Sequence, residues 1–245
     1  MKKTSSFIAA LALYFAVFYY VAVTAIGKPL DFSVYIEYSK VIWTGWLQTI
    51  AISVMSVLFA LVVGLVLYLM NESKYPVLKY LAEIHKTIIF GTPLLVIAIV
   101  SYYYVGFAFG IDSKFWIGVI TLSLYIGAYI ADIYKGAIES IHHNQWQAAK
   151  MFGFNRYQTY RYIIFPQVVM SILPPLAGQF ALTIKGSALL SYMATSEFLN
   201  SVNTVMAVSF AYPEGFVILA VGYLIITIPI IRLIRHLEDR LNYKV

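Results

Sequence analysis

The stretch ESIHHNQWQAAKMFGFNRYQTYRYIIFPQ, residues 139–167, decides how the rest of the chain is interpreted. It is the longest polar passage in an apolar chain, and it lies between two strongly apolar runs. Small Ala148 and Ala149 permit close approach of another surface, Gly153 permits a chain reversal, and Pro166 suits the start of a helix. The stretch therefore predicts a short helix, a turn and a return into an apolar environment.

The composition is that of an integral membrane protein. Of the 245 residues, 61% are hydrophobic and 11% are charged, with a mean hydropathy of +0.80, whereas soluble domains have about 25% charged residues. The apolar runs are continuous and long, as in spanning helices, and do not alternate as barrel strands do. The chain has no cysteine, which excludes disulfides and thiolate metal sites. We therefore expect an all-α membrane protein.

The apolar runs predict about six transmembrane helices. They cover approximately residues 7–26, 43–70, 88–109, 115–134, 163–184 and 215–234. The first run is longer than the apolar part of a typical signal peptide, which favours a retained helix, although Val23-Thr24-Ala25 resembles a cleavage site. Cleavage of residues 1–26 is therefore left open.

The basic residues are distributed asymmetrically along this layout. All but four of the 17 Lys and Arg residues lie on one side of the predicted membrane, and the exceptions are Lys28, Lys40, Lys114 and Lys185. The positive-inside rule then predicts that both termini are cytoplasmic. The sequence pI of about 9.3 follows from this topology, so nucleic-acid binding is not expected.

The polar stretch carries a spaced motif. Gln147-Ala148-Ala149 is followed after three residues by Gly153, and after nine more by Ile163-Ile164-Phe165-Pro166. This spacing resembles the EAA loop of the membrane-spanning subunits of ABC importers, in which Glu-Ala-Ala, Gly and Ile-x-Leu-Pro occur at these intervals. The chain departs from that pattern at Gln147, in place of Glu, and at Phe165, in place of Leu.

The resemblance extends to the branch of that family that imports polar amino acids. It covers about residues 43–241 and includes Thr49, Gly91-Thr92-Pro93-Leu94-Leu95, Gly127-Ala128-Tyr129, Gly136, Gln158-Thr159, Pro166-Gln167, Pro174-Pro175-Leu176 and Gln179-Phe180. The departures replace polar residues of the branch: Thr87 stands for Glu, Phe90 for Arg, Gly178 for Asn and Gly186 for Asp. These departures leave open which solute is carried.

The resemblance implies a domain organisation and a set of partners. Residues 1–40 would be an N-terminal helix with an outer connection, and residues 41–245 the importer transmembrane domain, a five-helix core with a cytoplasmic coupling loop at about 139–162. The implied partners are a cytoplasmic ABC ATPase dimer, a second permease that is identical or homologous, an extracytoplasmic solute-binding protein and membrane lipid. The location implied is the bacterial cytoplasmic membrane.

The resemblance also divides roles among residues. Coupling to the ATPase is expected of Gln145, Trp146, Gln147, Ala148, Ala149 and Gly153. Because the sequence has no G-x-x-x-x-G-K-[ST] phosphate loop, we expect no enzyme activity and no cofactor on this chain, with ATP and magnesium bound by the partner.

Three residues are candidates for the substrate path: Gln179, Lys185 and Ser187. A lysine near the outer end of a span is a functional candidate, although it could simply snorkel to the headgroups. Gln179 could face the same path or form a helix–helix hydrogen bond. No metal site is expected at His142 and His143, because they lack further ligands nearby.

Two further expectations concern acidic residues. Asp132 and Glu139 flank Lys135 at helical spacings that suit ion pairs. The alternative function, a secondary transporter or channel subunit without an ATPase, would call for more buried acids for ion coupling. Only Asp132 lies close to a predicted span, so an ATP-driven importer of an amino acid or similar small polar solute is the favoured interpretation.

Overall fold

The computed structural model describes residues 2–26 and 29–242, and helices account for nearly all of them. The helices are α1 (Lys2–Ile26), α2 (Ser33–Glu37), α3 (Ser39–Asn71), α4 (Pro76–Gly91), α5 (Leu94–Val100), α6 (Lys114–Glu139), α7 (His143–Met151), α8 (Arg156–Gln158), α9 (Phe165–Ser187), α10 (Phe198–Ser209) and α11 (Tyr212–Asn242). Two π-helical turns, Ser101–Gly106 and Thr159–Ile164, follow α5 and α8, and a 3₁₀ turn, Ala188–Met193, follows α9. The all-α prediction is confirmed.

Four helical runs in the described part of the chain are long and apolar enough to cross a membrane, and a bent pair makes a fifth span if counted as one. The four are Ser39–Asn71, Lys114–Glu139, Arg156–Met193 and Tyr212–His236. A sixth span at α1 and the cytoplasmic placement of the termini stay predictions.

The third predicted span is not one continuous helix. Pro76–Gly91 and Leu94–Gly106 meet at an angle of 113°, because the residues between them, Thr92 and Pro93, have extended backbone. The ring of Pro93 disfavours α conformation at Thr92 and removes a helical N–H. The third predicted span therefore contains a sharp bend at Thr92-Pro93, which the prediction did not include.

The centre of the fold is the crossing of α3 and α6, which approach closely through glycines. A Cβ on Gly127 would lie 2.5 Å from Val63 Cγ1, and a Cβ on Gly64 would lie 2.6 Å from Ile130 Cγ2. Small residues at such crossings let two helix backbones pack tightly in a membrane. The crossing fixes the helices against which the other elements pack.

The chain from Arg156 to Met193 is helical throughout, although it contains Pro174 and Pro175. It begins earlier than the predicted start near Ile163, because Asn155 provides a capping box for α8. The Asn155 side chain accepts a hydrogen bond from Gln158 N, and Gln158 Oε1 accepts one from Asn155 N, both at 2.9 Å. This run connects the polar loop with the interior of the bundle.

Candidate functional site

A cavity of about 450 Å³ lies between α5, α6 and α9. Its lining residues are Leu94, Leu122, Tyr125, Ile126, Tyr129, Gln179, Leu182, Lys185, Gly186 and Leu189. Among the described residues that line this cavity, Lys185 is the one charged side chain and Gln179 the one amide. Two of the three predicted substrate-path residues therefore lie together in one cavity.

Ser187, the third predicted path residue, lies elsewhere. It is fully buried, and its hydroxyl donates a hydrogen bond to Ile184 O at 2.8 Å within its own helix. It does not line the cavity. A hydroxyl two residues after Lys185 on a helix points about 200° away from it, which explains the separation.

Aromatic side chains form one wall of the cavity. The Tyr125 and Tyr129 hydroxyls lie 3.4 Å apart, and the Phe90 ring packs edge-on against Tyr129 with centroids 4.9 Å apart. Phe90 thus occupies the position where the resembling branch has Arg, and it contributes an apolar surface behind the wall. Lys185 is thus a cation in a largely apolar cavity.

An ion pair lies near this wall. Lys86 Nζ of α4 bonds to Asp132 Oδ1 of α6, and Lys86 also lies 5.9 Å from the centroid of the Phe90 ring. The expectation that Asp132 pairs with Lys135 was wrong, because α4 places the Lys86 ammonium against the Asp132 carboxylate. Glu139 does approach Lys135, at 3.9 Å.

The predicted coupling segment, residues 139–162, contains the short helix and the turn that the motif predicted. α7 ends at Met151, Gly153 adopts φ +77°, and the turn closes through Phe154 N donating to Ala149 O at 3.0 Å. A positive φ of this size is adopted readily only by glycine. The chain reversal expected at Gly153 is therefore present.

The predicted coupling residues do not share one face. Gln145, Gln147 and Ala148 are exposed, whereas Ala149 is completely buried and Trp146 is half-buried against Tyr160, with ring centroids 5.2 Å apart. Ala149 and Trp146 thus hold the segment together. The exposed residues are the ones available to a partner.

Two exposed apolar residues at the tip of the segment were missed by the sequence reasoning. Met151 and Phe152 are 88% and 83% exposed. They lie between the Ala-Ala pair and Gly153 of the motif, and that position was the available signal. Large apolar side chains at a loop tip between polar neighbours are typical of a protein contact surface.

Glu197 is a second residue that was missed. Its carboxylate is fully buried where α3, α10 and α11 meet, and it accepts hydrogen bonds from Leu199 N at 2.9 Å and Asn200 N at 2.7 Å. It also accepts from Tyr223 Oη at 3.2 Å and Thr49 Oγ1 at 3.4 Å. This carboxylate caps α10 and ties it to both long helices.

No group of three or more His, Asp or Glu side chains in the described residues could hold a metal ion. His142 and His143 are exposed on the loop. A cavity between spanning helices and a polar segment beyond them are features expected of a membrane transport subunit.

Comparison with known proteins agrees with this class. Residues 61–243 match the family described as binding-protein-dependent transport system inner membrane component, and the chain belongs to this family. It is therefore an inner-membrane permease subunit of an ABC importer and not an enzyme, and ATP hydrolysis falls to a separate subunit. The alternative of a transporter without an ATPase is not favoured.

Individual relatives and structures fit the same family. The chain is 32% identical to the glutamine transport system permease protein GlnP of Escherichia coli K12, over 80% of this chain and 90% of that protein. It is 28% identical to the probable glutamine ABC transporter permease protein GlnM of Bacillus subtilis, over 86% and 95%. A crystal structure of an amino acid ABC transporter with histidines aligns at a TM-score of 0.78 and 28% identity, covering 87% of this chain and 100% of that one.

Proposed function

We propose that this chain forms the translocation path for an amino acid with a neutral polar side chain, such as glutamine, paired with a second permease subunit. A solute-binding protein would deliver the solute, and a cytoplasmic ABC ATPase dimer carrying ATP and magnesium would drive the cycle. The observation that carries the proposal is the cavity that contains both Lys185 and Gln179. The names of the related glutamine permeases support the choice of solute.

The lining of the cavity suits such a solute. The Lys185 ammonium can bond to a carboxylate, and a charge-assisted bond of this kind is stronger than a neutral one. Gln179 can exchange hydrogen bonds with a side-chain amide. The described residues of the lining include no carboxylate to receive a basic side chain, so lysine and arginine are expected to be poorer solutes than glutamine.

The proposed coupling uses the segment 139–162. Gln145, Gln147 and Ala148 are exposed beside Met151 and Phe152, so an ATPase surface can reach all of them at once. Gly153 and buried Ala149 would maintain the shape of the segment.

The test is reconstitution of the chain in proteoliposomes with its ATPase and binding protein, followed by uptake of labelled L-glutamine. Lys185→Gln should lower uptake by about tenfold to a hundredfold, the loss expected for a hydrogen bond to a charged group, while ATPase association stays unchanged. Lys79→Gln is the matched control, because Lys79 is exposed on α4 and does not line the cavity. Failure of any ABC ATPase to associate would overturn the proposal.

A further inference from the structure

The coupling segment contains a second depression, which is basic. It encloses about 470 Å³ and is lined by His143, Trp146, Lys150, Phe154, Arg156, Thr159 and Tyr160. Trp146 and Tyr160 pack edge-to-face at its floor, and buried Thr159 donates its hydroxyl to Asn155 O at 3.0 Å. The floor is therefore fixed within the segment, while the charged side chains stand at the rim.

The cations at this rim have no acidic partner in the described part of the chain. Lys150 and Arg156 are exposed and take part in neither of the ion pairs found there. The sequence contains no Asp or Glu between Glu139 and Glu197. Gln147 is neutral at the position where the resembling loop has Glu. Residues 140–196 therefore offer no acidic side chain to this rim, and an acidic side chain of a partner could meet it.

We propose that the depression receives an acidic side chain of the ATPase, so that the permease contributes the cations and the ATPase the carboxylate. This inference rests on the proposed docking of the segment to an ABC ATPase, and it specifies the chemistry of that partner surface. Met151 and Phe152, which are almost fully exposed next to the depression, supply the apolar part of the contact. An apolar centre with a charged rim is the usual anatomy of a specific protein interface.

The charge arrangement has a measurable consequence. Attraction between a basic rim and an acidic groove accelerates association and is screened by salt, whereas the apolar contact of Phe152 is not screened in this way. The complex should therefore weaken as salt is raised, and the weakening should depend on Lys150 and Arg156.

The experiment measures the affinity between the full-length permease in nanodiscs and the ATPase subunit that drives its uptake, at low and high salt. The double variant Lys150→Glu/Arg156→Glu should weaken binding at low salt by about tenfold or more and flatten the salt dependence. Arg161→Glu is the matched control: Arg161 is exposed in the same segment but does not line the depression, so its affinity should stay within about twofold of wild type. Lysine substitution of the partner acid in the ATPase should restore binding to the double variant.

Several results would overturn the inference while leaving the proposed function intact. The first such result is that the double variant binds the ATPase with the same affinity as the Arg161 variant. Another is loss of binding in Phe152→Asp with no salt dependence in the wild type. A third is that the double variant loses only its affinity for phosphatidylglycerol vesicles, which would assign the rim to lipid headgroups. Absence of any ATPase binding by the wild type would instead overturn the proposed function itself.

Discussion

Replacement of Glu197 by alanine tests whether the buried carboxylate holds α3, α10 and α11 together. The Leu199 and Asn200 amides and the hydroxyls of Tyr223 and Thr49 all donate to Glu197. Alanine would leave these four donors without that acceptor. An unsatisfied buried donor costs about 1–3 kcal/mol, and loss of an N-cap about 1 kcal/mol. Relief from burying a carboxylate offsets part of this cost. We therefore expect a net loss of roughly 2–4 kcal/mol of unfolding free energy.

The assay is thermal unfolding of the purified protein in detergent. A loss of this size corresponds to a fall in Tm of about 5–15 °C for a chain of this length. Glu197→Gln keeps one acceptor oxygen for the helix cap, so its Tm should fall by less than half as much as that of Glu197→Ala. Glu37→Gln is the control, because Glu37 is an exposed acid at the end of α2, and it should leave Tm unchanged. Equal Tm values for wild type and Glu197→Ala would refute the reasoning, as would equal losses in the Ala and Gln variants.

Four further changes test the packing and the coupling segment. Gly127→Val should destabilise the crossing of α3 and α6 by about 1–3 kcal/mol or more through overpacking, because its Cβ would already meet Val63 at 2.5 Å; a Tm equal to wild type would contradict this. Asn155→Ala should remove the capping box and speed amide exchange at Gln158, with a cost of about 0.5–2 kcal/mol, whereas exposed Asn144→Ala should not. Ala149→Leu should disturb the fold of the segment and raise its amide exchange, because Ala149 is 0% exposed. Ala148→Leu should reduce ATPase affinity without that increase, and identical exchange in both leucine variants would show that the two alanines do not differ in role.

The sequence was sufficient for the features that depend on composition and local conformation. Long apolar runs predicted helical spans, and Gly153 predicted the reversal, because bilayer hydrophobicity and positive φ each restrict the residues that can be used. The sequence places Lys185 and Gln179 on one helix, but their shared cavity did not follow from helical periodicity, because a spacing of six residues rotates the side chain by about 240°.

Features that depend on tertiary packing could not be predicted in the same way. The burial of Ala149 and of Glu197 arises from segments distant in sequence, such as Thr49 and Tyr223 around the carboxylate. Glu197 could have been singled out in the sequence, because it is the first acidic residue after Glu139. The bend at Thr92 was also available from the sequence, because residues before proline avoid α conformation, but the apolar character of the flanking residues favoured a single span.

Because the helical run from Arg156 to Met193 is unbroken, a tilt at one end displaces residues far along it. At 1.5 Å per residue, the distance along its axis from Arg156 to Lys185 is about 44 Å. A tilt of about 5° around the Arg156 end would displace Lys185 by about 4 Å, more than the length of a hydrogen bond. A small rotation at the Arg156 end would thus be sufficient to make or break a solute contact at Lys185. The stiffness of the helix, with Pro174 and Pro175 in its middle, would determine how much of the motion reaches Lys185.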